Sequence, residues 1–337
     1  MKYSFIIPVF NRPDEVDELL DSLTKQSLKD FEVVVVEDGS SVKCDNVVKA
    51  YENHLNIKYF LKANSGPGQT RNYGVDRAEG EYVLILDSDV VLPTDYLQAV
   101  DAELRRQPCD AFGGPDRAHS SFSLMQKAIN YAMTSFFTTG GIRGGKKKLD
   151  KFYPRSFNMG VRREVYLALE GFSEMRFGED IDFSTRIFKG GYSCRLFPEA
   201  WVWHKRRTDL KKFFKQVHNS GIARINLTKR HPGTLKAVHL LPAVFTVGCA
   251  LLVVLTVVAA LCGCPHWWAL LTPFALFSLI IFADSALQSH SLQVGIRAVA
   301  ASFIQLWGYG TGFVRAWWER CVLGRGEFEA FKHNFYK

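Results

Sequence analysis

Two carboxylates follow an apolar run in the stretch YVLILDSDVVLP, residues 82–93. The run from Tyr82 to Leu86 is typical of a buried strand, and Asp87 and Asp89 come directly after it, on either side of Ser88. Carboxylates this close repel each other unless a cation lies between them. The stretch therefore predicts a cation site, although an isolated D-x-D pattern also occurs in turns and helix caps.

Other polar residues lie where neighbouring strands are predicted to end. Strands and helices alternate through the first part of the chain, and the run FEVVVV is apolar enough for a strand buried on both faces. This alternation predicts an α/β domain with a doubly wound, mostly parallel sheet. Ligands bind beyond the carboxyl ends of the strands in such a sheet. We therefore expect residues 8–11, Asp38 and residues 87–89 to line one crevice.

Length and composition restrict the class of protein. The 337 residues allow about two domains, and the formal net charge is +8. The basic clusters at 144–151 and 204–207 lack the interleaved aromatics of a nucleic-acid groove, so we expect anionic lipid or phosphate as a partner and no nucleic acid. Seven cysteines without a C-x-x-C pair predict neither a disulfide framework nor a zinc site, and they favour a reducing compartment.

The last third of the chain has the composition of a membrane region. Residues 240–262 and 267–283 carry no charged side chain, and the first run is long enough to cross a hydrocarbon core of about 30 Å. A third run, 294–314, contains Arg297 and several glycines and is a possible further span. We predict a transmembrane region at 231–337 that ends in a short basic tail. The alternative is a set of buried helices in a soluble domain.

Charge on either side of these runs predicts an orientation. Residues 205–236 are rich in Lys and Arg, whereas the link GCPH between the first two runs has neither, and the positive-inside rule places the basic side in the cytoplasm. The stretch 210–230 is basic and amphipathic, as in a helix that lies on a membrane surface. The N-terminal apolar run is too short for a signal peptide. We therefore expect a multi-pass inner-membrane protein with its preceding domain in the cytoplasm.

Five segments occur in the order and spacing of a known family. They are SFIIPVFNR, FEVVVVEDGS, NSGPGQTRNYGVDRAEGEYVLILDSD, FNMGVRREVYLALEGFSEMRFGEDIDFSTRIFKGG and VWH. The chain thus resembles an inverting family 2 glycosyltransferase of the GT-A fold, in an integral-membrane form. The resemblance implies a GT-A domain at 1–230, with a nucleotide-sugar half at 1–110 and an acceptor half at 111–230 that ends in the interfacial helix.

The resemblance also implies donor and metal contacts. Asp89 would bind Mg²⁺ or Mn²⁺ together with Asp87 and His204, because hard oxygen ligands suit these ions and a diphosphate leaving group needs a divalent metal. Asp87 and Ser88 would also face the donor. The other donor contacts implied are Pro8 and Phe10 against the base, Asp38 on the uracil N–H, and Arg71 near the nucleotide.

The resemblance places the general base in GED, residues 178–180. The acceptor hydroxyl must lose a proton, and a carboxylate at a helix N-terminus stays ionised and available. Asp180 is the expected base, with Glu179 as a neighbour that orients the acceptor. One base and one displacement predict inversion at the anomeric carbon.

The function expected from these features is the transfer of a single sugar from a nucleotide-diphosphate sugar, in particular a UDP-sugar, to a lipid-linked or membrane-proximal glycan. Three alternatives remain. A sugar nucleotidyltransferase would need a glycine-rich loop where residues 8–11 read PVFN. A processive polysaccharide synthase would be expected to carry a Q-x-x-R-W signature and more spans. A non-catalytic nucleotide-sugar-binding membrane protein would not need both Asp89 and Asp180.

Overall fold

The computed structural model describes residues 1–117, 122–140 and 152–328. The basic cluster at 144–151 and the end of the predicted basic tail, 329–337, lie outside these residues. The described chain divides into two compact units. One comprises residues 1–117, 152–205 and 328, and the other comprises residues 122–140 and 206–327.

Strands and helices alternate in the first unit, whereas the described part of the second unit is helical. The strands are β1 (Tyr3–Val9), β2 (Phe31–Asp38), β3 (Ile57–Lys62), β4 (Tyr82–Leu86), β5 (Val90–Val91), β6 (Ala111–Gly113), β7 (Asp116–Arg117), β8 (Asn158–Arg162), β9 (Cys194–Leu196) and β10 (Val202–His204). The helices are α1 (Pro13–Thr24), α2 (Asp45–Tyr51), α3 (Pro67–Val75), α4 (Tyr96–Arg106), α5 (Leu124–Thr134), α6 (Phe136–Thr139), α7 (Arg163–Ala168), α8 (Glu179–Lys189), α9 (Leu210–Arg230), α10 (Ala237–Leu261), α11 (Thr272–Ser289) and α12 (Leu292–Trp317). A 3₁₀ turn, Trp267–Leu271, precedes α11, and a π-helical turn, Trp318–Val322, follows α12.

The first unit is built on a mostly parallel sheet. Within the described residues this sheet has seven strands in the order β3-β2-β1-β4-β8-β6-β9, and β8 alone runs antiparallel to its neighbours. A smaller sheet in the described residues has the order β5-β10-β7. The predicted α/β sheet is therefore confirmed.

Apolar side chains alternate between the two faces of the sheet, which explains the unbroken apolar strands. Phe5 and Ile7 of β1 pack in one core cluster with the apolar side of α1, and Ile6 packs in a second cluster on the opposite face. Val33 and Val34 of β2 divide in the same way. Helices on both faces keep every residue of β1 and β2 buried.

The second unit holds the apolar segments of the sequence. The described chain has two helices long and apolar enough to cross a membrane, Ala237–Leu261 and Trp267–Ser289, and only 11% of the most apolar window of each is buried. Large side chains such as Leu251 and Val254 are more than half exposed. A core helix of a soluble protein would be mostly buried, and these two helices are not.

The predicted third run and the predicted interfacial helix pack together. α12 contains residues 294–314 and lies along α9, whose buried side includes Phe213, Val217 and Ile222. Glycines allow the close approach, since a Cβ on Gly221 would lie 2.1 Å from the carbonyl oxygen of Tyr309. Within the described residues, the apolar side of α9 therefore packs on α12 and on α5.

Candidate active site

Three parallel strands bring the predicted donor residues to one edge of the sheet. β1 pairs in register with β2 and β4, with Tyr3 opposite both Phe31 and Tyr82, so their carboxyl ends lie side by side. Pro8 is buried inside β1, and the half-buried Phe10 follows that strand. Asp38 ends β2, while Asp87 and the buried Ser88 follow β4.

The predicted metal ligands come together. One ligand atom from each of Asp87, Asp89 and His204 lies within 4.8 Å of the other two. β10 pairs antiparallel with β5, His204 opposite Val90, and this pairing brings the His204 Nε2 atom to 3.2 Å from Asp89 Oδ1. The Phe157 ring stacks on the imidazole at 4.8 Å between centroids. Two carboxylates and an imidazole at this spacing fit a hard divalent cation.

Arg12 also reaches this cluster, from the position that precedes α1. Its Nη1 atom lies 3.2 Å from Asp89 Oδ2 and 2.6 Å from Glu15 Oε2. One guanidinium is therefore shared between a predicted metal ligand and a carboxylate of α1. In this arrangement a positive charge already lies against Asp89.

Both carboxylate oxygens of Asp38 accept hydrogen bonds from the end of β3 and from the loop before α3. Lys62 Nζ and the Ser65 backbone N–H donate to Asp38 Oδ1 at 2.7 and 2.9 Å, and the Gly66 backbone N–H donates to Oδ2 at 2.9 Å. Gly39 follows with φ of +72°, which glycine adopts at no steric cost. These bonds fix the shape of the crevice wall, and the contact of Asp38 with a uracil stays a prediction.

Arg71 connects the two acidic motifs. It is 3% exposed and donates from Nη2 to Asp87 Oδ1 at 2.6 Å and from Nη1 to Glu179 Oε1 at 3.2 Å. The guanidinium also lies 5.3 Å from the centroid of the Phe172 ring. A buried guanidinium needs a carboxylate partner, and Arg71 has one on each side. Arg71 thus ties the end of β4 to the start of α8.

Glu179 and Asp180 begin α8 directly after Gly178, whose φ of +87° lies in the left-handed region that favours glycine. Burial and the charge of Asp180 raise the pKa of Glu179 to about 7, against the opposing charge of Arg71. Burial alone would raise the pKa of Asp180, but the charge and hydrogen bond of Arg155, with the charge of Arg71, hold that pKa below its ordinary value. Asp180 is therefore the ionised member of the pair at neutral pH.

Three neighbours of the predicted site residues were not found from the sequence: Arg12, Arg155 and Asp116. Arg155 Nε lies 2.6 Å from Asp180 Oδ2, and an Asp116 oxygen lies 3.8 Å from His204 Nδ1. Arg155 and Asp116 come from segments without a recognisable motif, whereas Arg12 ends the segment SFIIPVFNR, where no role was expected for it. The excess of acidic residues at the predicted site was the one available signal, because buried carboxylates need cationic partners.

Comparison with known proteins finds a family model that matches the first part of the chain. Residues 4–169 match the family model described as Glycosyl transferase family 2. The poly(ribitol-phosphate) beta-N-acetylglucosaminyltransferase TarS of Staphylococcus aureus (strain Mu50 / ATCC 700699) is 40% identical over 135 residues, 39% of this chain and 22% of that protein. The GalNAc(5)-diNAcBac-PP-undecaprenol beta-1,3-glucosyltransferase of Campylobacter jejuni is 35% identical over 115 residues, 33% of this chain and 37% of that protein.

A solved structure shares the fold. The mannosyltransferase PcManGT from Pyrobaculum calidifontis, in complex with GDP-Man and Mn²⁺, superposes with a TM-score of 0.63 at 20% identity, over 89% of this chain and 86% of that chain. The mostly parallel sheet is thus consistent with the GT-A fold. The matches to the two curated relatives span well under half of the length of each.

Proposed function

We propose, from the premise that residues 4–169 form a domain of glycosyl transferase family 2, that the protein is a metal-dependent, inverting glycosyltransferase. It transfers one sugar from a nucleotide-diphosphate sugar, in particular a UDP-sugar, to a lipid-linked or membrane-proximal glycan. One observation carries this proposal. Arg71 bonds both to Asp87, a member of the three-residue group that could hold a metal, and to Glu179, a member of the buried carboxylate pair.

The donor lies in the crevice at the carboxyl ends of β1, β2 and β4. Pro8 and Phe10 pack against the nucleobase, Asp38 accepts a hydrogen bond from the uracil N–H, and Ser88 lies toward the ribose. Arg71 supplies positive charge beside Asp87, where the diphosphate is expected. Residues 1–110 are the nucleotide-sugar half in this proposal, and residues 111–230 are the acceptor half.

Asp87, Asp89 and His204 are the residues that would hold Mg²⁺ or Mn²⁺. When bound, the ion stabilises the charge that develops on the diphosphate leaving group. The chain itself prepares the ligands: the pairing of β10 with β5 directs His204 toward Asp89, and Phe157 covers the imidazole ring. The ligand set supports the choice of ion, because oxygen and imidazole donors suit these cations.

Asp180 takes the proton of the acceptor hydroxyl as that oxygen attacks the anomeric carbon. Its lowered pKa and its place in the first turn of α8 keep it ionised. Because its pKa is raised, Glu179 stays protonated over a wider pH range than an ordinary carboxyl group, and it orients the acceptor. A single displacement with one base inverts the anomeric centre.

The acceptor is met at a membrane in this proposal. α10 and the segment 267–289 cross the inner membrane, the active site faces the cytoplasm, and 231–337 is the anchoring region. One relative at 35% identity is described as acting on an undecaprenol-linked glycan, which supports a lipid-linked acceptor. The relative at 40% identity acts on poly(ribitol-phosphate), so a polyol-phosphate chain at the membrane is the second acceptor class to test.

The experiment that tests the function uses purified full-length chain with Mn²⁺ and a panel of UDP-, GDP- and dTDP-sugars. We expect metal-dependent binding and transfer with one nucleotide. Asp180→Asn should keep donor binding but lose transfer by roughly a hundredfold to ten-thousandfold, because the base acts on the acceptor. Retained transfer would move the role to Glu179 or Asp182. Binding of a nucleotide sugar without transfer to any acceptor would favour the non-catalytic alternative, and release of long products would favour a processive synthase.

A further inference from the structure

The segment before β8 is bonded on both sides to elements of the candidate site. Ser184, one turn after Asp180 on α8, donates from Oγ to the Pro154 carbonyl oxygen at 2.8 Å. The Asn158 backbone N–H donates to the Arg155 carbonyl oxygen at 3.0 Å. Asn158 is itself buried and accepts from the Tyr96 hydroxyl at 2.6 Å. Residue 155 is thus held in a fixed relation to both the sheet and α8.

From this fixed position the Arg155 side chain reaches the carboxylate of Asp180, the proposed general base. Its Nε atom lies 2.6 Å from Asp180 Oδ2, and the Ile181 backbone N–H donates to Oδ1 at 2.8 Å. Both oxygens of a buried carboxylate are then held, which fixes the plane of the group. A charge-assisted bond of this length is among the stronger side-chain interactions.

We propose that Arg155 is a positioning residue for the transfer reaction, and that it holds the Asp180 carboxylate in the orientation in which that carboxylate accepts the proton of the acceptor hydroxyl. This inference rests on the proposed function. Its geometric basis is the fixed segment 154–158 and the paired bonds on Asp180.

The surrounding charges give Arg155 a second effect on the same group. Asp180 faces Arg155 from the segment before β8 and Arg71 from α3, and Glu179 and Asp182 share its helix. The charges of Glu179 and of Asp116 in β7 also interact with Arg155. Loss of Arg155 leaves Asp180 with the more distant charge of Arg71, so its pKa should rise toward that of an ordinary buried carboxyl.

The test is the pH dependence of kcat/KM for the full chain and two variants. The acid limb of this profile reports the pKa of the general base in the free enzyme. We expect Arg155→Gln to move that limb upward by about one pH unit and Arg155→Lys, which keeps the charge, to move it by much less. Arg162→Gln is the control, because the ion pairs of Arg162 are with Asp110 and Glu164. An acid limb that does not move in Arg155→Gln overturns the inference, whatever the change in kcat.

A second measurement tests the same contact if Arg155→Gln folds poorly. Thermal midpoints of Arg155→Gln, Asp180→Asn and the double variant form a cycle that isolates the pair. Arg155→Gln leaves the buried charge of Asp180 unpaired, so we expect the added change Asp180→Asn in the double variant to recover most of the lost stability. Additive losses would contradict the pairing. If the unmodified chain transfers no sugar, the proposed function fails and this inference fails with it; transfer with an unmoved acid limb overturns the inference alone.

Discussion

Arg12 should compete with the divalent cation for Asp89, and its removal should tighten cation binding. The Arg12–Asp89 contact is 3.2 Å, which corresponds to about 5 kcal/mol of attraction at an effective dielectric constant of about 20 and about 1.3 kcal/mol in bulk water. The Arg12 side chain is 35% exposed and keeps Glu15 as a second partner, so solvent screens the contact and its attraction is close to the value in bulk water. We therefore expect Mn²⁺ affinity without nucleotide to rise about tenfold in Arg12→Gln.

The assay is a titration of the full chain with Mn²⁺, with free ion measured by electron paramagnetic resonance at low ionic strength. Glu15→Gln should have the opposite effect, because Arg12 then has Asp89 as its main partner. Lys205→Gln is the matched control for net charge, since Lys205 lies next to His204 in the chain but its ammonium group pairs with Glu18 at 2.7 Å. Equal changes in Arg12→Gln and Lys205→Gln, or weaker binding in Arg12→Gln, would refute the competition.

Three further outcomes follow from the same geometry. Asp89→Ala should bind the donor no better with Mn²⁺ than with EDTA, and donor affinity equal to that of the unmodified chain with Mn²⁺ would remove Asp89 from the ligand set. Glu179 has a folded-state pKa above its ordinary value, so its stabilising contribution is present below about pH 4.5 and is lost as the pH rises through about 7. The free energy of unfolding of Glu179→Gln should therefore rise by about 2 to 3 kcal/mol relative to that of the unmodified chain as the pH goes from about 4.5 to 8. A difference in thermal midpoint that does not change with pH would contradict the raised pKa. A chain cut before Leu240 keeps the candidate site and should bind the donor, yet transfer to a membrane acceptor should fall roughly a hundredfold; full activity on a soluble acceptor would contradict the membrane placement.

The sheet and its ligand edge were predictable because the information is local. Each of β1, β2 and β4 is an unbroken apolar run, and Asp38 and Asp87 follow such runs directly. Parallel pairing then places the ends of the strands together without any knowledge of side-chain contacts. His204 required the resemblance, because a histidine at the end of a short strand has no pattern of its own, and its pairing opposite Val90 is a long-range contact.

The packing of α9 was less predictable because an amphipathic pattern does not identify what covers its apolar side. The basic residues of 210–230 are equally compatible with a lipid surface and with a partner helix. The structure places α12 against that side, where glycines at 308 and 312 let the backbones approach. The charged Arg297 and these glycines, which weaken the third run as a membrane span, are consistent with a helix that packs on protein.

The arginines of the site explain how so many carboxylates can lie together before any ligand binds. Asp87, Asp89, Glu179 and Asp180 lie at one edge of the sheet, and an unpaired buried carboxylate costs several kcal/mol. Arg71 bonds to two of them, whereas Arg12 and Arg155 each bond to one. In the proposed function the acidic crevice also receives a dianionic diphosphate, and this positive charge would reduce the repulsion between the two sets of anions. The acidic motifs do not reveal which arginines supply this charge, because each arginine comes from a different part of the chain, and only Arg71 was named from the sequence, as a donor contact.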